Sequence, residues 1–406
     1  MRLAFVSPDV SSGPYATGIG NYTAAIASGL RARGHEVHLL SRAWHEDRVG
    51  TLDDGVHLHL IGPPRPRLPE LFGPVGLTDL IVRGAWTEIA YRRHLARRLE
   101  ELVAAGEVEL IEAADAQAEA AFYRSRNHPQ VPLVVRLHAP LSLGERFERN
   151  LPAVARGFVW VYERAFLLGA SHLTAPTRHA ASLIRSSMRL GARPIQVHPN
   201  PPSFESIGAS EVDQPEPAHV LFVGRLGAAK GADLVVGAIP HVLERYPDAT
   251  FTLAGGAHVD PRVDQTMRES LLSPLTPAQL ASVTAPGYLS PEQVERCYRR
   301  ASVVVLPSRF ETFGYTCIEA MAHGKAIIGA RQTATGELLG GGDSGLVIDN
   351  NEPGALGTAI VRLLEDDSLR STLEANARAR FSAVYARSVV LDACERFYRQ
   401  ALQDAK

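Results

Sequence analysis

Residues 307–324 read Pro307-Ser308-Arg309-Phe310-Glu311-Thr312-Phe313-Gly314-Tyr315-Thr316-Cys317-Ile318-Glu319-Ala320-Met321-Ala322-His323-Gly324. An apolar run at 302–306 leads into this stretch. Pro307 ends the run, Glu311 falls in a turn, and a helical pattern with small residues begins near Gly314. A short buried strand that passes through a turn into a helix is the repeating unit of a parallel sheet covered by helices. The same alternation extends outward. Residues 219–223, 250–254, 325–330 and 345–348 read as strands, and 231–244, 291–300 and 353–365 as helices. Upstream, 3–7, 36–41, 108–112, 133–138 and 171–175 read as buried strands, with helices at 20–33 and 87–102.

Between these two series the chain runs Pro199-Asn200-Pro201-Pro202 and then, over 206–217, is rich in Pro, Ser, Gly and acids without apolar periodicity. That composition predicts a linker. The expected fold class is α/β, with two doubly wound parallel-sheet (Rossmann-like) domains facing a cleft. The boundaries are 1–205 for the first domain, 206–218 for the linker and 219–385 for the second domain. A final amphipathic helix lies in 386–406, with Val390, Cys394, Phe397, Tyr398 and Leu402 at helical spacing.

Composition excludes several classes. The chain has 406 residues and a formal net charge of −2, without the bulk positive charge of a general nucleic-acid binder. Its 45% hydrophobic and 21% charged content fits a packed globular protein. The three cysteines, Cys297, Cys317 and Cys394, are too few and too far apart for a disulfide framework or a zinc cluster, which points to a reducing, cytoplasmic compartment. No run of about 18 uninterrupted apolar residues is present, so no transmembrane segment is expected. Lysine occurs only at Lys230, Lys325 and Lys406, so 39 of the 42 cations are Arg. Coding bias explains the arginines; it makes each remaining lysine worth locating.

Ligands of open α/β sheets bind at the carboxyl ends of the strands, so chemistry is sought at strand-to-helix turns. The first turn, 7–22, contains Gly18 and Gly20, which can bring the backbone and a helix N-terminus to an anion; a flexible loop accounts for it equally well. It lacks the G-x-G-x-x-G of nicotinamide binders. In the second domain, Val223-Gly224-Arg225-Leu226-Gly227-Ala228-Ala229-Lys230-Gly231 places Arg225 and Lys230 on one loop. They form either an anion clamp or a solvated pair, and the scarcity of Lys favours the clamp. In the opening stretch, Glu319 lies roughly 7 Å along the helix from its start. Glu311 and Glu319 can therefore sit at opposite ends of an elongated ligand, with the free amides of Gly314, Tyr315 and Thr316 between them. Hydroxyl groups at both ends and an anion in the middle describe a nucleotide diphosphate sugar.

At these residues the sequence resembles the family 4 glycosyltransferases, retaining enzymes of GT-B architecture, over nearly its whole length. The E-x7-E motif from Glu311 to Glu319 carries the likeness most strongly. The V-G-R-x-x-x-x-K-G loop at 223–231, the Gly18-Ile19-Gly20 turn, Val197-His198-Pro199-Asn200 and Leu253-Ala254-Gly255-Gly256 add to it. The resemblance implies that the last helix returns to the first domain and that a hexose-type sugar moves from a UDP- or GDP-sugar, UDP preferred, to a hydroxyl acceptor. It implies that Arg225 and Lys230 bind the donor diphosphate, that Glu319 holds the ribose and that Glu311 contacts the sugar, with backbone amides at Phe313, Gly314 and Tyr315 capping sugar and phosphate. Gly18 and Gly20 would approach the phosphate, and the base would lie near Tyr288 and Leu289. His138, in Arg136-Leu137-His138-Ala139-Pro140, matches the family histidine near sugar and acceptor; a structural strand-end histidine is the other reading.

No D-x-D stands at a strand end, and the fixed cations can take over a metal's charge, so neither metal nor other cofactor is expected. For the acceptor, Glu112 and Asp115 at the end of a first-domain strand are candidates, with helix capping an equal reading for Asp115. The basic segment 91–98 is a solvated face or a peripheral membrane contact, and residues 63–67 a loop on the acceptor side. Two alternatives share the architecture: a nucleotide-sugar epimerase, and a non-catalytic sugar-nucleotide-binding protein. The oligomeric state is not encoded in any of these features.

Overall fold

The computed structural model describes the chain except residues 11–16, 44–45, 63–76, 124–126, 149–151, 205–206, 208–214, 257–259, 350–351 and 406. Most of the expected linker and the whole of 63–67 lie outside the described residues. The first domain contains β1 (Arg2–Ser7), β2 (Glu36–Arg42), β3 (Arg48–Thr51), β4 (His57–Ile61), β5 (Leu110–Ala114), β6 (Leu133–Arg136), β7 (His172–Ala175) and β8 (Gln196–Val197). Its helices are α1 (Gly18–Ala32), α2 (Leu77–Ala104), α3 (Leu141–Glu148), α4 (Ala153–Gly169) and α5 (Arg178–Ser187). The sheet order is β3-β4-β2-β1-β5-β6-β7-β8, parallel except for β3.

The second domain contains β9 (His219–Val223), β10 (Thr250–Ala254), β11 (Val283–Gly287), β12 (Val303–Leu306), β13 (Ala326–Ala330) and β14 (Leu346–Ile348). Helices α6 (Ala232–Arg245), α7 (Pro261–Leu272), α8 (Pro277–Leu280), α9 (Pro291–Arg300), α10 (Tyr315–Ala322), α11 (Ala334–Leu338), α12 (Pro353–Glu365) and α13 (Asp367–Arg380) surround it. Its six strands, ordered β11-β10-β9-β12-β13-β14, are all parallel. Central strands buried on both faces explain the unbroken apolar runs at β9, β12 and β13.

Each sheet separates two apolar clusters. The closing helix α14 (Arg387–Asp404) leaves the second domain and packs on the first. Its Val390, Cys394, Phe397, Tyr398 and Ala401 share a cluster with Leu3, Phe5, Tyr22 and Ile26. Tyr315, at the start of α10, packs against apolar clusters of both domains. Among the described residues no helix is long and apolar enough to cross a membrane.

The basic segment 91–98 is not one solvated face. Tyr91, Leu95 and Ala96 are buried. Arg92 turns inward, donating to the Gln117 carbonyl and to Glu88, while Arg98 pairs with Glu101.

Candidate active site

The cleft forms where the carboxyl ends of the two sheets meet. Thr177 Oγ1, at the N-cap of α5, donates to the Thr312 carbonyl at 2.9 Å. Glu337 of α11 accepts the amides of Arg178 at 3.0 Å and His179 at 2.8 Å. Phe310 packs against the first-domain core, and the turn Ala228–Lys230 lies against α3.

On the second-domain side, Lys230 Nζ donates to Glu311 Oε2 at 2.5 Å. The two come from turns 81 residues apart, held together by local chemistry. Arg309 donates its backbone N–H to the Ala229 carbonyl and its guanidinium to both oxygens of Asp233. Gly231 has φ +75°, and a Cβ there would stand 2.2 Å from the Pro307 carbonyl oxygen, so only glycine lets the two turns touch. An ammonium has three N–H donors, so two remain beside the Glu311 bond. Arg225 is exposed on the same loop, directly after β9.

Glycine at 314, in the left-handed region at φ +101°, caps α10, and a Cβ there would stand 3.4 Å from Glu311 Cγ, so the N-terminal end of the helix, with its first amides, lies beside Glu311. The Phe313 side chain is buried and meets the Tyr315 ring edge-on at 5.1 Å. One turn on, the half-buried Glu319 accepts from Tyr298 Oη at 2.8 Å. Burial raises its carboxyl above the usual range, and the Tyr298 bond opposes that shift. Tyr288 is exposed and its ring stands over Gly256, while the half-buried Leu289 packs at the second-domain core. The Leu226 amide donates to Gly256, tying that turn to the Arg225 loop.

On the first-domain side, His138 is 7% exposed and its Nε2 has no hydrogen-bond partner. Its ring meets Tyr22 edge-on at 4.8 Å. Burial, reinforced by the Arg136 charge, holds the imidazole well below its ordinary pKa, so the ring is neutral at neutral pH. Gly18 opens α1, and Gly20 donates its N–H to the capping Thr17. The space a Cβ would fill at Gly20 is taken by the Asp9 carboxylate.

Two acceptor assignments are corrected. Glu112 does not face the cleft. It is 2% exposed, and its oxygens accept from Tyr22 Oη at 2.6 Å and Tyr398 Oη at 2.8 Å, on the sheet face covered by α1 and α14. Asp115 is fully buried and neither reaches outward nor caps the following helical turn; it accepts the amides of His138 and Ala139. Three residues that join the domains had not been singled out from sequence: Thr177, Thr312 and Glu337.

Two Rossmann-like sheets, with the Lys230–Glu311 turns at the carboxyl end of one and the buried His138 at the carboxyl end of the other, form the architecture of a GT-B glycosyltransferase. Residues 17–201 match the family described as "Glycosyl transferase 4-like domain", and residues 204–380 match "Glycosyl transferases group 1". The chain belongs to the family 4 glycosyltransferases and is a hexosyltransferase. It is similar to D-inositol 3-phosphate glycosyltransferase of Acidothermus cellulolyticus, 27% identical over 392 residues, covering 90% of this chain and 81% of that one. It is also similar to alpha-D-kanosaminyltransferase of Streptomyces kanamyceticus, 26% identical over 356 residues, covering 83% of this chain and 87% of that one. Among solved structures, sucrose-phosphate synthase from Thermosynechococcus elongatus superposes with a TM-score of 0.73 at 20% identity, over 99% of both chains. HepE from Anabaena, solved with UDP and glucose, superposes with a TM-score of 0.71 at 18% identity, over 98% of this chain and 100% of that one.

Proposed function

We propose that the protein is a retaining, metal-independent glycosyltransferase that moves a hexose from a UDP-sugar to a hydroxyl of its acceptor. The observation that carries this reading is the Lys230–Glu311 pair at 2.5 Å, beside the first amides of α10. Transfer breaks the anomeric C–O bond and leaves a nucleoside diphosphate. Lys230, Arg225 and the α10 amides supply fixed positive charge for that leaving group, the task a divalent ion performs elsewhere. Glu319 receives the ribose hydroxyls. Tyr288 and Leu289 lie near the base.

The acceptor oxygen attacks the anomeric carbon on the face the diphosphate leaves, and a phosphate oxygen takes the acceptor's proton. His138 Nε2, neutral and unpartnered, accepts a hydrogen bond from a sugar hydroxyl next to that carbon. Glu311 is engaged by Lys230 and serves as a sugar contact and charge partner, with no role as nucleophile. We place the reaction in the cytoplasm, a reading supported by three free cysteines of which two are buried.

The test is a panel of UDP- and GDP-sugars with and without EDTA. Release of UDP from one donor, unchanged by EDTA, with an α-linked product from an α-linked donor, is expected. Inverted product, EDTA-sensitive turnover or preference for a GDP-sugar would each overturn the corresponding part.

A further inference from the structure

Among the described residues, one side-chain cluster outside the cleft has metal-ligand chemistry. Parallel strands β2 and β4 place His38 opposite His57. Side chains alternate along a strand, so Glu36, His38, His57 and His59 share one sheet face, at the amino ends of these strands and away from the cleft. One donor atom from each of Glu36, His38 and His57 lies within 4.8 Å of the other two.

His38 is 4% exposed, and its Nε2 is buried with no hydrogen-bond partner. The nearest carboxylate oxygen, Glu36 Oε1, stands 3.8 Å away, too far for a hydrogen bond. Native proteins rarely leave a buried polar atom unpaired. Two ligands each about 2.0–2.1 Å from a tetrahedral ion stand roughly 3.4 Å from each other, close to this gap. The other ring nitrogen, His38 Nδ1, is 3.0 Å from His59 Nε2, and such an outer contact fixes the orientation of a ligating ring.

We propose that Glu36, His38 and His57 form a zinc site, two imidazoles and one carboxylate with the fourth position taken by water, and that the ion clips β4 to β2. Imidazole with carboxylate is a ligand set suited to zinc. The arrangement makes a further demand. His38 ligating through Nε2 carries its proton on Nδ1 and donates it to His59 Nε2. His59 then carries its own proton on Nδ1, which faces Arg98 Nη2 at 3.5 Å. Zinc uptake therefore turns Arg98 away, towards the Glu101 carboxylate that already holds it at 2.9 Å.

The test uses the full chain, stripped with a chelator and titrated with zinc ion alone against a chromophoric competitor, together with thermal melts. One zinc per chain and a raised melting temperature are expected. His57→Ala and Glu36→Gln should each weaken binding by about tenfold or more, while Arg98→Gln should leave it unchanged or tighter. The Glu36 side chain is 44% exposed, so its replacement leaves the fold intact. The site is refuted if the wild-type chain takes up no zinc, or if Glu36→Gln binds as tightly as wild type, which is the outcome of adventitious binding at other histidines. Weakening by Arg98→Gln would refute the ligation geometry.

Discussion

Asp115 Oδ1 accepts the backbone N–H of His138 at 2.9 Å and that of Ala139 at 3.3 Å, joining the ends of β5 and β6 beneath the cleft. Its Oδ2 is buried without a hydrogen-bond partner, and burial pushes the carboxyl up to about 7 from an ordinary 3.8. The folded chain therefore binds this proton more tightly than the unfolded chain. The resulting stabilisation is full below about pH 4 and is lost as the pH rises through about 7. Asp115→Asn removes that dependence and keeps an oxygen for the two amides. Urea titrations should show wild type losing stability relative to Asp115→Asn between those limits. A difference independent of pH would contradict the buried, protonated carboxyl.

Lys230→Ala removes the ammonium that Glu311 aligns. If the ammonium stabilises the departing diphosphate, the barrier should rise by about 2–4 kcal/mol, read as kcat/KM with the preferred donor. Lys230→Arg should recover only part, because the planar guanidinium does not fit the 2.5 Å contact made by the ammonium. Wild-type turnover in Lys230→Ala would exclude the role.

Gly231→Ala tests how the Lys230 loop is seated. The substitution puts a Cβ at φ +75° and 2.2 Å from the Pro307 carbonyl oxygen. The left-handed conformation alone costs about 1 kcal/mol for a residue with a side chain, and the clash must also separate the Lys230 and Glu311 turns. A fall in kcat/KM larger than the fall in thermal stability is expected. A well-folded variant with unchanged kinetics would show that the contact does not position Lys230.

Much of this was legible in the sequence, for identifiable reasons. The buried strands β9, β12 and β13 announce themselves as continuous apolar runs, and the 307–324 stretch carries its strand, turn and helix in contiguous residues. The edge strand β11 was missed because its side chains are mostly half-buried or exposed and it contains Pro286. Helix α13 was missed because it buries only Leu373 and Ala377. All five residues of β5 are buried, so nothing local indicates which sheet face Glu112 occupies. Glu337 binds amides that lie 158 and 159 residues away, a relation that no local pattern encodes.

That long-range contact gives another prediction. Glu337 sits at the positive end of the α5 dipole and ties the two domains together. Hydrogen bonds to a charged group contribute about 1.5–3 kcal/mol, so Glu337→Ala should shift the chain towards an open cleft. We expect a larger radius of gyration by small-angle X-ray scattering and a donor KM raised about tenfold or more. Unchanged scattering and KM would mean that the remaining contacts between the domains hold them without Glu337.

Glu112 separates a structural from a substrate-binding carboxylate at the end of β5. Both of its oxygens are engaged, by Tyr22 on α1 and Tyr398 on α14, so it ties the closing helix to the first sheet. Glu112→Ala leaves two buried phenol hydroxyls without an acceptor, at about 1–3 kcal/mol each. Tyr398→Phe removes one bond and leaves Tyr22 paired, costing about 1 kcal/mol. Thermal melts should therefore rank wild type above Tyr398→Phe and Tyr398→Phe above Glu112→Ala. Acceptor KM, measured well below each melting temperature, should be unchanged in both, because neither residue reaches the cleft. A raised acceptor KM in Glu112→Ala at wild-type stability would restore Glu112 to the acceptor site.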